Sequence, residues 1–108
     1  MTTEIIKAAI LAKITERSFK NKITGAQLGK PYGLDSQQVR RIINYYRSEP
    51  HCYPIGSNSV GYWWMTEDVE FEITDEHLES RIIGIQNARS GLKKARRRFM
   101  ESKEGKLL

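Results

Sequence analysis

The sequence predicts a small, mainly α protein of the α+β class: three short helices, a β-hairpin and one long C-terminal helix. Three observations predict it. Apolar residues recur at three- and four-residue spacing in early stretches that follow a Thr or Asp suited to cap a helix. Residues 51–65 are punctuated by Pro and Gly and become rich in aromatic residues, as hairpin strands are. Leu78, Ile85, Leu92 and Phe99 then repeat at intervals of seven, the period of a helix that pairs with another.

The first helix starts at Thr3-Glu4, and Ile6, Ala9, Ile10, Lys13 and Ile14 give it one stripe; it is expected to end near Phe19. Thr24 caps a short second helix, Gly25 to about Lys30, with Ala26 and Leu28 facing inward and Pro31 and Gly33 as stops. Asp35 caps a third helix from Ser36 to about Ser48, whose buried stripe is Val39, Ile43 and Tyr46 with Ile42 at its margin. Pro50 ends it. Two extended segments follow, His51–Gly56 and Gly61–Met65, around a tip of Ser57-Asn58-Ser59-Val60. The last helix is expected over about 75–103, with Thr74 as cap and Asp75 and Glu76 in its first turn.

The chain has 108 residues, 39% of them hydrophobic, and a formal charge of +5. That excludes a disordered segment and, with no long apolar run, a membrane span. With no secretory signal and the single Cys52, it reads as intracellular and cytoplasmic. Residues 1–66 carry nine bases against four acids, whereas residues 67–108 carry nine of each. The balanced part is polarised: seven acids and no base over 67–79, seven bases and no acid over 81–98. Residues 1–66 therefore form a basic domain, and residues 67–108 an acidic connector with a C-terminal helix for dimerisation.

Ile23-Thr24-Gly25-Ala26-Gln27-Leu28 resembles the second helix of winged helix-turn-helix proteins. Residues 35–47, with Val39-Arg40-Arg41 at their centre, resemble the recognition helix, and Tyr53-Pro54-Ile55-Gly56-Ser57 through Gly61-Tyr62-Trp63 the wing. The likeness covers residues 5–65; Pro31-Tyr32 departs from the usual inter-helix turn. The tail, from Leu78 to Ala95, resembles small winged-helix proteins of bacteriophages and prophages. The resemblance implies a DNA-binding regulator or replication-region accessory factor, in the host cytoplasm if phage-encoded.

With the stripe inside, the third helix exposes Ser36, Gln37, Gln38, Arg40, Arg41 and Asn44. Gln and Asn suit adenine edges, Arg suits guanine, and Ser or a helix-start amide suits phosphate. No acid lies between Ser36 and Ser48 or in the wing, as an anion-facing surface requires. Lys30, Arg47, Ser57 and Asn58 complete the expected contacts with double-stranded DNA. Tyr62, Trp63 and Trp64 alternate, so at least one should face solvent; either tryptophan would suit stacking, core packing or a protein partner. The alternative function is a module that docks a replication, transcription or host-defence protein through these aromatics or the tail. No constellation of nucleophile and base, phosphate loop or metal ligands suggests an enzyme, a metal or a cofactor.

In the last helix Leu78, Ile82, Ile85, Ala88, Leu92, Ala95 and Phe99 form an apolar seam flanked by Gly84 and Gly91. The seam is expected to pair two copies as a homodimer, antiparallel because one half is acidic and the other basic; packing on the first helix of its own chain is the competing arrangement.

Overall fold

The computed structural model describes residues 2–107, with side chains as far as Lys103. Two compact units make it up, the first ending at His77 and the second beginning at Leu78. Helix α1 (Thr3–Thr15) starts at Thr2, whose hydroxyl accepts the Ile5 N–H at 3.3 Å. Ile10 and Ile14 are its buried positions, with Ile6 and Leu11 packed beside them. It stops well short of Phe19. The Ser18–Asn21 bridge turns the chain there and sets the Phe19 ring edge-on to Trp63, 5.2 Å between centroids.

Helix α2 (Gly25–Gly29) opens with a reciprocal cap: Thr24 Oγ1 accepts the Gln27 N–H at 3.1 Å, and Gln27 Oε1 accepts the Thr24 N–H at 3.0 Å. Leu28 is buried, but Ala26 is exposed, contrary to expectation. Positions two apart lie on opposite sides of a helix, so both cannot face inward. As expected, the α-helix ends at Gly29, just ahead of Pro31. Pro31 then sits early in a 3₁₀ turn, Lys30–Tyr32, where its missing N–H costs nothing, and Gly33 closes that turn in the left-handed region at φ 67°.

Helix α3 (Ser36–Arg47) has the same kind of cap: Asp35 Oδ1 accepts from Gln38 N at 2.8 Å, and Gln38 Oε1 from Asp35 N at 2.9 Å. Val39, Ile42, Ile43 and Tyr46 are buried, so Ile42 belongs to the stripe itself. Together with Ile10, Ile14, Ile23, Leu28 and Ile55 they form the core.

Strands β1 (Ile55–Ser57) and β2 (Tyr62–Trp64) pair antiparallel, with Ile55 opposite Trp64 and Ser57 opposite Tyr62. The first starts later than expected because residues 52 and 53 hold to the end of α3 instead, through Cys52 N to Ser48 O and Tyr53 N to Tyr46 O, both 3.0 Å, while the Pro54 carbonyl accepts the Met65 N–H across the hairpin at 2.9 Å. Ile23 joins the sheet from the other side: its N–H bonds Tyr62 O at 2.9 Å and its carbonyl accepts Tyr62 N–H at 2.8 Å. One face of the hairpin puts Tyr62 and Trp64 on the core, while Trp63 lies on the other, buried beside Phe19.

Helix α4 (Asp68–Leu107) begins seven residues earlier than expected. Residues 67–77 are therefore no connector but part of the first unit. Thr74 is not a cap; it is buried, its hydroxyl oxygen accepting the Ser57 N–H at 3.1 Å. Glu70 takes the capping role, with Oε2 accepting the N–H of Thr66 at 2.8 Å and of Glu67 at 3.0 Å, and Oε1 that of the Trp63 indole at 3.2 Å. Glu70→Ala strips three donors of their acceptor and is expected to cost about 2–3 kcal/mol in urea unfolding, with Glu70→Gln losing less. A variant as stable as the parent would show that these bonds contribute nothing. Among the described residues, no helix is long and apolar enough to cross a membrane.

Candidate nucleic-acid interface

An amphipathic helix offers a partner whatever its core does not take. Burying Val39, Ile42, Ile43 and Tyr46 leaves Gln37, Arg40, Arg41 and Asn44 exposed along one side of α3, at helical spacings of three and four. Ser36 is exposed at its start, close against Gly25: a Cβ added to that glycine would lie 3.6 Å from Ser36 Oγ and 3.7 Å from the Tyr62 ring. The starts of α2 and α3 and the second hairpin strand thus converge. Lys30 is exposed in the 3₁₀ turn between the two helices.

Four of the residues expected at this surface do other work. Gln38 holds the capping box, so its side-chain oxygen is not available for a bidentate pair with adenine. Asp35 occupies the Gln38 amide, which removes one helix-start N–H from phosphate binding. Arg47 is half-buried and donates from Nε to the Ile55 carbonyl at 2.9 Å, fastening α3 to the hairpin, with its guanidinium carbon 6.0 Å from the Tyr62 ring centre. Ser57, only 1% exposed, belongs to β1 rather than to the tip, and its Oγ lies 3.3 Å from His77 Nδ1. Asn58 is turned inward as well: Oδ1 accepts the N–H groups of Val60 and Gly61 at 2.9 and 3.2 Å and so shapes the turn.

Trp63 is 0% exposed, which rules it out as a stacking platform or docking residue, and Tyr62 and Trp64 are half-buried on the core. Tyr62 and Trp64 are only partly exposed, so the expectation that at least one of the three faces solvent is met in part. The reason is that the hairpin is covered on both sides, by the helices and by the Glu70 turn of α4.

Sequence reasoning missed two residues, one on α3 and one on α1. Tyr45 is 45% exposed, four positions after Arg41, and Lys7 lies over its ring at 4.3 Å. Lys7 also meets Glu4 at 3.7 Å, a surface pair of small energy. The signal was present in the spacing, but Tyr45 reads equally as the edge of the buried stripe. Behind it, Tyr46, His51 and Tyr53 meet in turn, edge to face at 5.6 Å from Tyr46 to His51 and tilted at 5.3 Å from His51 to Tyr53. Burial, and then the neighbouring Tyr45, Glu4 and Tyr53, push the Tyr46 hydroxyl above its ordinary range, so it stays neutral and packs as a core ring.

No protein-family model, curated protein or solved structure matches this chain. The functional reading therefore rests on its own residues.

Proposed function

We propose that the chain is a winged helix-turn-helix protein that binds double-stranded DNA, with α3 as the helix entering the major groove. The observation that carries the reading is the side of α3 formed by Gln37, Arg40, Arg41 and Asn44, exposed, free of acid and rich in base-reading groups. The element order and the Ile23–Tyr62 bridge, which adds a third strand position to the hairpin, support the same reading. In this arrangement Arg40 and Arg41 pair with guanine O6 and N7, Gln37 and Asn44 with adenine, and Lys30 with phosphate beside the groove. Lys7 and Tyr45 extend the contact at the far end of α3. A role in transcription or in a replication region, of the kind seen in phages, follows from the resemblance stated above and is proposed with it.

The test is a titration with a pool of duplex DNA at two salt concentrations, followed by selection of the bound sequences. Arg40→Ala and Arg41→Ala are each expected to weaken binding to the selected site about tenfold to a hundredfold and to relax preference at one position. Lys30→Ala should weaken all sequences alike and lower the salt slope by about one. Binding that ignores salt, or arginine variants equal to the parent, would overturn the proposal. Arg47→Ala is the control: it should lower stability rather than change which sequences are selected.

A further inference from the structure

We propose that the seam of α4 pairs antiparallel with the seam of a second copy, in the register that sets Leu78 opposite Ala95 and Ile85 opposite Ala88. Three observations on the second unit carry it, and none depends on DNA. Ile85, Leu92 and Phe99 are 60%, 72% and 65% exposed, an apolar line seven residues apart that water covers poorly. Ala88 and Ala95 follow Ile85 and Leu92 by three, and a Cβ added to Gly84 or Gly91 would meet nothing within 4 Å, so a second helix can approach closely.

Charge selects the occupant and the direction. The acids gather at 67–79 and the bases at 81–98, so a copy running the opposite way in this register sets Asp75 against Arg98 and Glu79 against Lys94. A parallel copy would set Glu79 against Glu79 and the Lys93–Arg98 cluster against itself. Charge also selects the register. Antiparallel seams layer large on small in three ways here, and the one that places Leu92 opposite Ala95 brings Lys93 against Lys94 and Arg89 against Arg98. Placing Ile85 opposite Ala95 brings Glu79 against Glu101 and Phe99 against Arg81, whereas placing Ile85 opposite Ala88 brings Glu79 against Lys94. In the register with Ile85 opposite Ala88, Leu92 faces Arg81, whose aliphatic stem can lie along it, and Phe99 falls at the end of the pairing, opposite position 74 rather than a seam residue.

The experiment uses the full chain. Sedimentation over a concentration series is expected to show a dimer, and Ile85→Asp, which buries a charge twice near the two-fold axis, should raise the dissociation constant at least about a hundredfold. Circular dichroism and urea unfolding monitor the first unit, which holds no residue of this seam. Lys94→Glu should weaken pairing about fivefold to tenfold, and Glu79→Lys with Lys94→Glu should restore it. For direction and register, Leu78→Cys and Ala95→Cys chains are prepared with the exposed Cys52 changed to Ser. Mixed and mildly oxidised, the two variants should join through a disulfide from position 78 of one chain to position 95 of the other, and neither variant should cross-link alone. A monomer at every concentration, a dimer indifferent to Ile85→Asp, or cross-links within each single variant would each overturn the proposal. Loss of DNA binding with the dimer intact would count against the nucleic-acid reading alone.

Discussion

Replacing Trp63 with alanine is expected to remove about 3–5 kcal/mol of stability, the range for emptying a large buried aromatic site. The ring is wholly buried and stands edge-on to Phe19, and its N–H is tied to Glu70. Gly56 faces it across the hairpin, where an added Cβ would press into the indole. Alanine would leave a void on that side and a buried carboxylate short of one donor. A domain of this size has about 5–15 kcal/mol in all, so a loss this large leaves a substantial unfolded population near 37 °C. Trp63→Phe, which keeps most of the volume and loses the bond, should cost less than half as much. Urea unfolding followed by circular dichroism measures both. A loss below about 1 kcal/mol for alanine would show that Trp63 does not anchor α4 to the hairpin.

Gly29→Ala should rank second, at about 3 kcal/mol, the upper part of the range for overpacking. A methyl group there would collide with the Leu34 carbonyl and stand 3.0 Å from Val39 Cγ2. The obstacle is backbone, which cannot rotate away as a side chain does. Relief requires α2 and α3 to separate, which shifts the face carrying Arg40 and Arg41, so DNA affinity should fall in proportion. Gly33 gives the contrast. An added Cβ there meets nothing, and only its positive φ resists substitution. Gly33→Asn should therefore cost about 1 kcal/mol or less, because Asn tolerates the left-handed region. Equal effects at the two glycines would show that turn conformation, not crowding, governs this joint.

Helix α3 was legible because its information is local: an Asp cap, a stripe at three- and four-residue spacing, and Pro50 beyond its end. The start of α4 was not, because Thr74-Asp75-Glu76 imitates a helix entry and Glu70 looks like one acid among seven. What distinguishes Glu70 is burial against Trp63, a residue on a different element. Ser57 misled in the same manner, since a small polar residue beside Asn58 reads as a turn tip, whereas its backbone N–H is held by Thr74, 17 positions away. The exposed side of α3 could be listed from the pattern, but Gln38 and Arg47 were drawn off it by a cap and by a strand carbonyl. Of these, only the Asp-x-x-Gln cap was visible in advance.

The two hydrogen bonds between Ile23 and Tyr62 bear on the order in which the chain folds. They enclose α2, α3 and β1 in one loop, and closing a loop that long is entropically costly until helix packing repays it. Helix α3 and the hairpin turn can form from neighbouring residues, but this clasp forms only when both are already in position. A nascent chain still short of Tyr62 would thus carry every arginine of α3 without the strand that fixes how that helix is presented.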